Sequence, residues 1–126
     1  MPSYESQEYD NLIAGGVKER VETEVIIQSG SGIVTRGTAL GRLTGVDSFG
    51  LPVTAPVDST SVDGSGEVYA ILSSDMIDAT TRSVRAVAYM SGEFNRAAIK
   101  FGGVDTIATH ETKMRRLGII IKRVVD

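Results

Sequence analysis

The 126-residue chain has no cysteine, no tryptophan and one histidine, His110. Without cysteine it can form neither disulfides nor thiolate metal sites. A single imidazole rules out a histidine-rich metal centre. No apolar run reaches the roughly 18–20 residues that a membrane-crossing helix needs. No basic stretch followed by an apolar core opens the chain, so the expectation is no secretion signal and synthesis in the cytoplasm. A formal net charge of −3 gives no sign of a nucleic-acid partner.

Glycine, in contrast, is plentiful at 14 residues. It costs backbone entropy inside regular elements, so turns, bulges and short strands are expected. Apolar residues make up 41%, enough for one modest core in a chain of this length. Charge is unevenly spread. Residues 1–24 hold Glu5, Glu8, Asp10, Glu19, Glu22 and Glu24 against Lys18 and Arg20. The C-terminal stretch carries Lys113, Arg115, Arg116, Lys122 and Arg123.

Residues 1–16 are polar and unpatterned, with Tyr4, Tyr9, Leu12 and Ile13 as their only large apolar groups. Such a segment buries too little surface to offset its ordering entropy, and a flexible arm is expected. Tyrosines suit an adhesive arm, because they offer contact area at low entropy cost. Residues 17–28 alternate with period two and are rich in β-branched side chains, which predicts a strand. Residues 34–43 predict two short strands bent at Gly37. Residues 45–66 are punctuated by glycine and proline and predict turns and loop. Strands are expected at 67–72, 85–90 and 119–125. A turn is expected at 92–95 and a short helical turn at 96–101. A helix is expected over 105–117, capped by Asp105 and stopped by Gly118.

No catalytic constellation emerges. A nucleophile needs an adjacent base, and His110 reads as an exposed helix residue. Gly30-Ser31-Gly32 and Gly64-Ser65-Gly66 complete neither a phosphate loop nor a dinucleotide fingerprint. Asp58 and Asp63 fall short of a calcium loop. No metal, cofactor or catalytic residue is assigned, and a binding or structural role fits better than an enzyme.

Three stretches, taken in order, carry a resemblance. The first is Gly32-Ile33-Val34-Thr35-Arg36-Gly37-Thr38-Ala39-Leu40-Gly41-Arg42-Leu43. The second is Asp63-Gly64-Ser65-Gly66-Glu67-Val68-Tyr69-Ala70-Ile71-Leu72. The third is Val87-Ala88-Tyr89-Met90-Ser91-Gly92-Glu93-Phe94-Asn95. Together they resemble the phage head decoration proteins of the lambda protein D type across residues 25–125.

The resemblance implies a mainly β (α+β) single domain, β-clip-like, with one or two short helices. It implies a homotrimer on the outer surface of an expanded phage head, at three-fold and quasi-three-fold sites. There it would bind the major capsid protein and hold the shell against internal DNA pressure. It further implies an N-terminal region that orders on the capsid by adding β structure. Residues 1–24 are accordingly expected to form a capsid-binding arm and residues 25–126 the body. Tyr4, Tyr9, Leu12, Val21, Thr23 and Val25 are the candidate contacts, and residues 1–21 are expected to be dispensable for folding. No trimer-interface residue is assigned, and neither nucleic acid nor membrane is expected as a partner. Two other readings stand beside this one. One is a different virion subunit, such as a head–tail joining or tail protein. The other is a trimeric β-clip nucleotide hydrolase, whose Asp, Tyr and phosphate-binding motifs are not found in order.

Overall fold

The computed structural model describes residues 11–16, 18–103 and 105–123. They form a mostly β domain with one α-helix. The strands are β1 (Ile13–Gly15), β2 (Val21–Ile27), β3 (Gly32–Thr35), β4 (Ala39–Ser48) and β5 (Leu51–Pro56). Then come β6 (Ala70–Leu72), β7 (Met76–Ala79), β8 (Val84–Asn95) and β9 (Ile119–Lys122). A 3-10 turn spans Arg96–Ala98, and α1 is Ile107–Leu117.

Strand β8 organises the rest. Its first part pairs with β2 from Val84 to Ser91, and with β6 at Ala88 and Tyr89. Beyond β2 come β5, then β4, then β6, which returns to β8. Five strands therefore close on themselves, although β5 meets β2 only at Ile26 and Ile27. Alternation decides what fills the barrel. Val25 and Ile27 of β2, Leu40 of β4, Ala70 and Leu72 of β6, and Ala86 and Ala88 of β8 form one buried cluster. Val34 and Ala79 close it from the separate β3–β7 ribbon. Each fully buried aliphatic contributes about 1.5–3 kcal/mol.

The alternate residues pack outward. Ala39, Ile71, Tyr89 and Phe94 join Ile107 and Met114 of α1 in a second cluster, beneath helix and loops. Ile26, Leu43 and Val53 make a third on the β2–β5–β4 face.

Several sequence expectations needed correction. Residues 92–95 continue β8 instead of turning, because β1 and β9 flank them on its two sides. Gly92 has φ +147°, which lets the strand bend there without ending. The 45–66 stretch contains the turn of the β4–β5 hairpin, and β7 forms in a stretch for which no strand is expected. The helix starts at Ile107 with Thr106 as its N-cap, so Asp105 lies one residue outside. Gly118 ends it in the left-handed region as expected. His110 is buried at 5% exposure, not exposed, because it faces Phe101 and Asp105.

The segment after residue 10 is also built into the body. Leu12 is 1% exposed within the second cluster. Its carbonyl accepts from the Asn95 N–H at 2.7 Å, and the Asn11 carbonyl accepts from Asn95 Nδ2 at 3.1 Å. The Glu93 carboxylate, 3% exposed, ion-pairs with Lys122 Nζ at 2.6 Å and accepts the Lys18 N–H. That group ties the strand after Gly92 to both ends of the body. Removing residues 1–21 would therefore remove part of the core.

Leu12→Ala is expected to destabilise the domain by about 2–5 kcal/mol, read as a shifted denaturant midpoint at unchanged slope. A change within about 0.5 kcal/mol, as at an ordinary surface position, would place Leu12 outside the cooperative core.

Candidate functional site

The nearest approach to a polar centre lies where the 58–66 loop meets α1. Asp105 Oδ2 lies 2.6 Å from His110 Nε2. The same carboxylate accepts the Ser59 N–H at 2.7 Å and the Ser59 hydroxyl at 2.8 Å. The ring of His110 stacks on Phe101, with centroids 5.3 Å apart. Serine, aspartate and histidine are all present, but in an order that does not activate the serine. Its hydroxyl donates to the carboxylate, which lies between it and the imidazole, whereas a serine nucleophile of the triad kind donates to the histidine. The trio instead fastens the loop to the helix.

The His110 hydrogen bond holds the Asp105 carboxyl below its ordinary value of 3.8, against the opposing effect of burial, and Ser59 acts in the same direction. Among the described residues no group of His, Asp and Glu side chains is placed to hold a metal, and no pocket is found. No described helix is long and apolar enough to cross a membrane.

The candidate contacts do not share one surface. Tyr4 and Tyr9 lie outside the described residues. Leu12 is in the core. Along β2, Val21 is 45% exposed and Val25 fully buried, with Thr23 between them in exposure. The expected boundary between residues 24 and 25 thus falls inside β2. One feature of β2 suits a partner strand. β8 pairs along its whole length, whereas β5 joins the other side only at Ile26 and Ile27. Among the described residues, no strand pairs with that second edge from Val21 to Val25.

The most exposed apolar side chains lie elsewhere, and sequence reading passed over them as loop. Phe49 is 84% exposed and Val62 is fully so. Ser48 pairs with Leu51, so Phe49 and Gly50 alone form the β4–β5 turn. Their φ angles are +54° and +74°. A two-residue hairpin turn with two positive φ angles favours Asn-Gly. Gly50 satisfies this, but a bulky residue at the first position is an outlier. The signal was present in the sequence as a phenylalanine before glycine, flanked by Asp47-Ser48. Val62 stands beside the same hairpin, because the neighbouring Asp63 carbonyl accepts the Thr44 N–H at 2.9 Å. A smaller exposed pair, Ile33 and Met76, lies on the outer face of the β3–β7 ribbon.

Among the described residues, the part of β2 that β5 leaves unpaired and the exposed apolar tips are surfaces suited to binding. The profile of the family described as bacteriophage lambda head decoration protein D matches residues 3–120. The chain belongs to that family. Curated proteins gave no match to the chain. Head decoration proteins are structural parts of the phage capsid, so the resemblance drawn from three short motifs extends over nearly the whole sequence. In a decoration protein the Asp105–His110–Ser59 trio has a structural use: it fixes the loop that carries Val62.

That use has a pH signature. Because the folded Asp105 carboxyl lies below 3.8, its contribution is complete above that value and is lost as pH falls through the folded value. The stability gap between the native chain and Asp105→Asn should therefore narrow as unfolding is measured from about pH 5 down to about pH 2. A gap that stays constant over that range would remove the carboxylate from the account.

Proposed function

We propose that three copies of the chain associate into a homotrimer on the outer surface of the expanded phage head. The trimer occupies three-fold and quasi-three-fold positions, binds the major capsid protein and clamps the shell against the pressure of packaged DNA. The observation that carries this reading is the family match over residues 3–120. The mostly β fold is consistent with it.

The segment that reaches the capsid is residues 1–10, with strand addition continuing toward the start of β2. Residues 1–10 contain Tyr4 and Tyr9, together with Glu5, Glu8 and Asp10 and no Lys or Arg. An unoccupied strand edge is what strand addition requires: backbone hydrogen bonds give affinity, and alternate side chains give specificity. The edge from Val21 to Val25 supports that role, with the exposed Val21 and part-exposed Thr23 as side-chain contacts. Leu12 and Val25 act indirectly, by anchoring the segment to the body. Trimerisation raises the effective concentration of the second and third segments once the first is bound.

The test compares the full chain with one lacking residues 1–10, keeping Leu12 and β1. Both should show the solution mass of three chains and the same melting temperature, while the shortened chain decorates undecorated expanded heads far less. Normal decoration by the shortened chain would end the arm assignment. A monomeric mass for the full chain would end the trimer.

A further inference from the structure

We infer that the Glu93 carboxylate is a positioning group for capsid attachment: it pins the N-terminal segment to β8 in one register and so fixes where residues 1–10 leave the body. The inference rests on the reading that residues 1–10 reach the capsid. It adds a group within the body on which that contact depends.

The register of the segment carries it. Gly15 stands opposite Glu93 and Val21 opposite Ser91, with a register irregularity at each. The whole stretch between Gly15 and Val21 therefore spans one residue of β8, Gly92, as a wide bulge. Such a bulge leaves the register of β1 unspecified, because residues can pass from it into the ladder while β2 stays in place.

Two side chains of β8, one on each side of Gly92, remove that freedom. Ser91 Oγ donates to the Glu19 carbonyl at 2.9 Å. The Glu93 carboxylate accepts the Lys18 N–H and is paired with Lys122 Nζ of β9 at 2.6 Å. It also lies directly against Gly15, where a Cβ would collide with its Oε1. Asn95 does the same task two residues further on, donating to the carbonyls of Leu12 and Asn11. A buried ion pair contributes little net stability relative to an apolar replacement, and its best-attested use is to fix register. With the segment held by Ser91, Glu93 and Asn95, residues 1–10 start from one place. Little ordering of the segment behind them is then left to do on binding, which favours affinity.

The experiment compares the full-length chain with Glu93→Gln, Lys122→Met and Lys122→Arg. Because the chain has no cysteine, spin labels attached through Asp10→Cys and the exposed Thr112→Cys read where the segment leaves the body. Labelled chain is diluted with unlabelled chain, and each variant is checked for solution mass and for binding to undecorated expanded heads. The parent should give one narrow distance distribution. Glu93→Gln keeps the size of the side chain and an acceptor oxygen but loses the charge. It should broaden the distribution and bind heads roughly 10-fold more weakly, with its mass unchanged, because the segment must be ordered at each binding event. Lys122→Met should reproduce both effects, and Lys122→Arg, which keeps the charge, should show neither. Should Glu93→Gln fail to fold, Lys122→Met decides alone. An unchanged distribution overturns the inference, and so does normal head binding alongside a broadened one. Normal decoration by the chain lacking residues 1–10 ends the arm assignment and takes this inference with it. Failure of that shortened chain to decorate, beside normal decoration by Glu93→Gln, ends this inference alone.

Discussion

Strand β8 changes partners at Gly92. Before that residue it closes the barrel between β2 and β6; after it, β1 and β9 take the two sides. A non-glycine residue at φ +147° would be strained, and a Cβ there would press on the Arg20 side chain and the Phe94 ring. Both clusters that share β8 depend on this bend: the barrel interior around Ala88 and the helix-covered layer around Phe94. Glu93, next in sequence, then meets Lys122 and the Lys18 N–H. A buried carboxylate is unfavourable unless paired. Lys18, through its backbone N–H, and Lys122, through its charge, are therefore coupled to the bend by the Glu93 carboxylate as well as by the ladder.

That coupling changes the picture of the N-terminal segment. Composition alone makes residues 1–24 a tail, since six acids and few apolar groups seldom order themselves. The fold draws in its later part because β8 offers a bare flank after Gly92 and the core accepts Leu12. Segment and body are joined by contacts remote in sequence. A pull on the chain at Leu12 would thus be passed to Asn95 through the ladder.

The sequence was informative wherever local pattern and tertiary demand agreed. Val21 to Ile27 alternates visibly and forms β2, and Gly118 stops the helix as its position predicts. The three motifs led to the right family because they mark turns and strands that the fold retains. Legibility failed where neighbours distant in sequence decided the outcome. Gly92-Glu93-Phe94-Asn95 has turn composition, yet two partner strands make it sheet. His110 looks like a solvent-facing helix residue, and only the approach of Asp105 and Phe101 reveals its burial. Leu12 is a single leucine in an acidic stretch, with no periodicity to identify it. Phe49 was hidden for a different reason: a loop reading assigns no value to the sign of a φ angle.

Decoration of a repetitive shell also bears on how strong each contact needs to be. In the proposed trimer, three equivalent segments would gain from effective concentration, and avidity can exceed single-site affinity by about two to four orders of magnitude. No single contact then has to be tight, and modest anchors on each copy are sufficient. The fold has room for such an arrangement because its stability resides in the two large clusters around β8, away from the β4–β5 tip. A cost of about 1–3 kcal/mol at that tip is tolerable when the buried clusters each contain many fully enclosed aliphatic groups. Placing the unfavourable residue on a short, well-paired hairpin confines its effect to two residues.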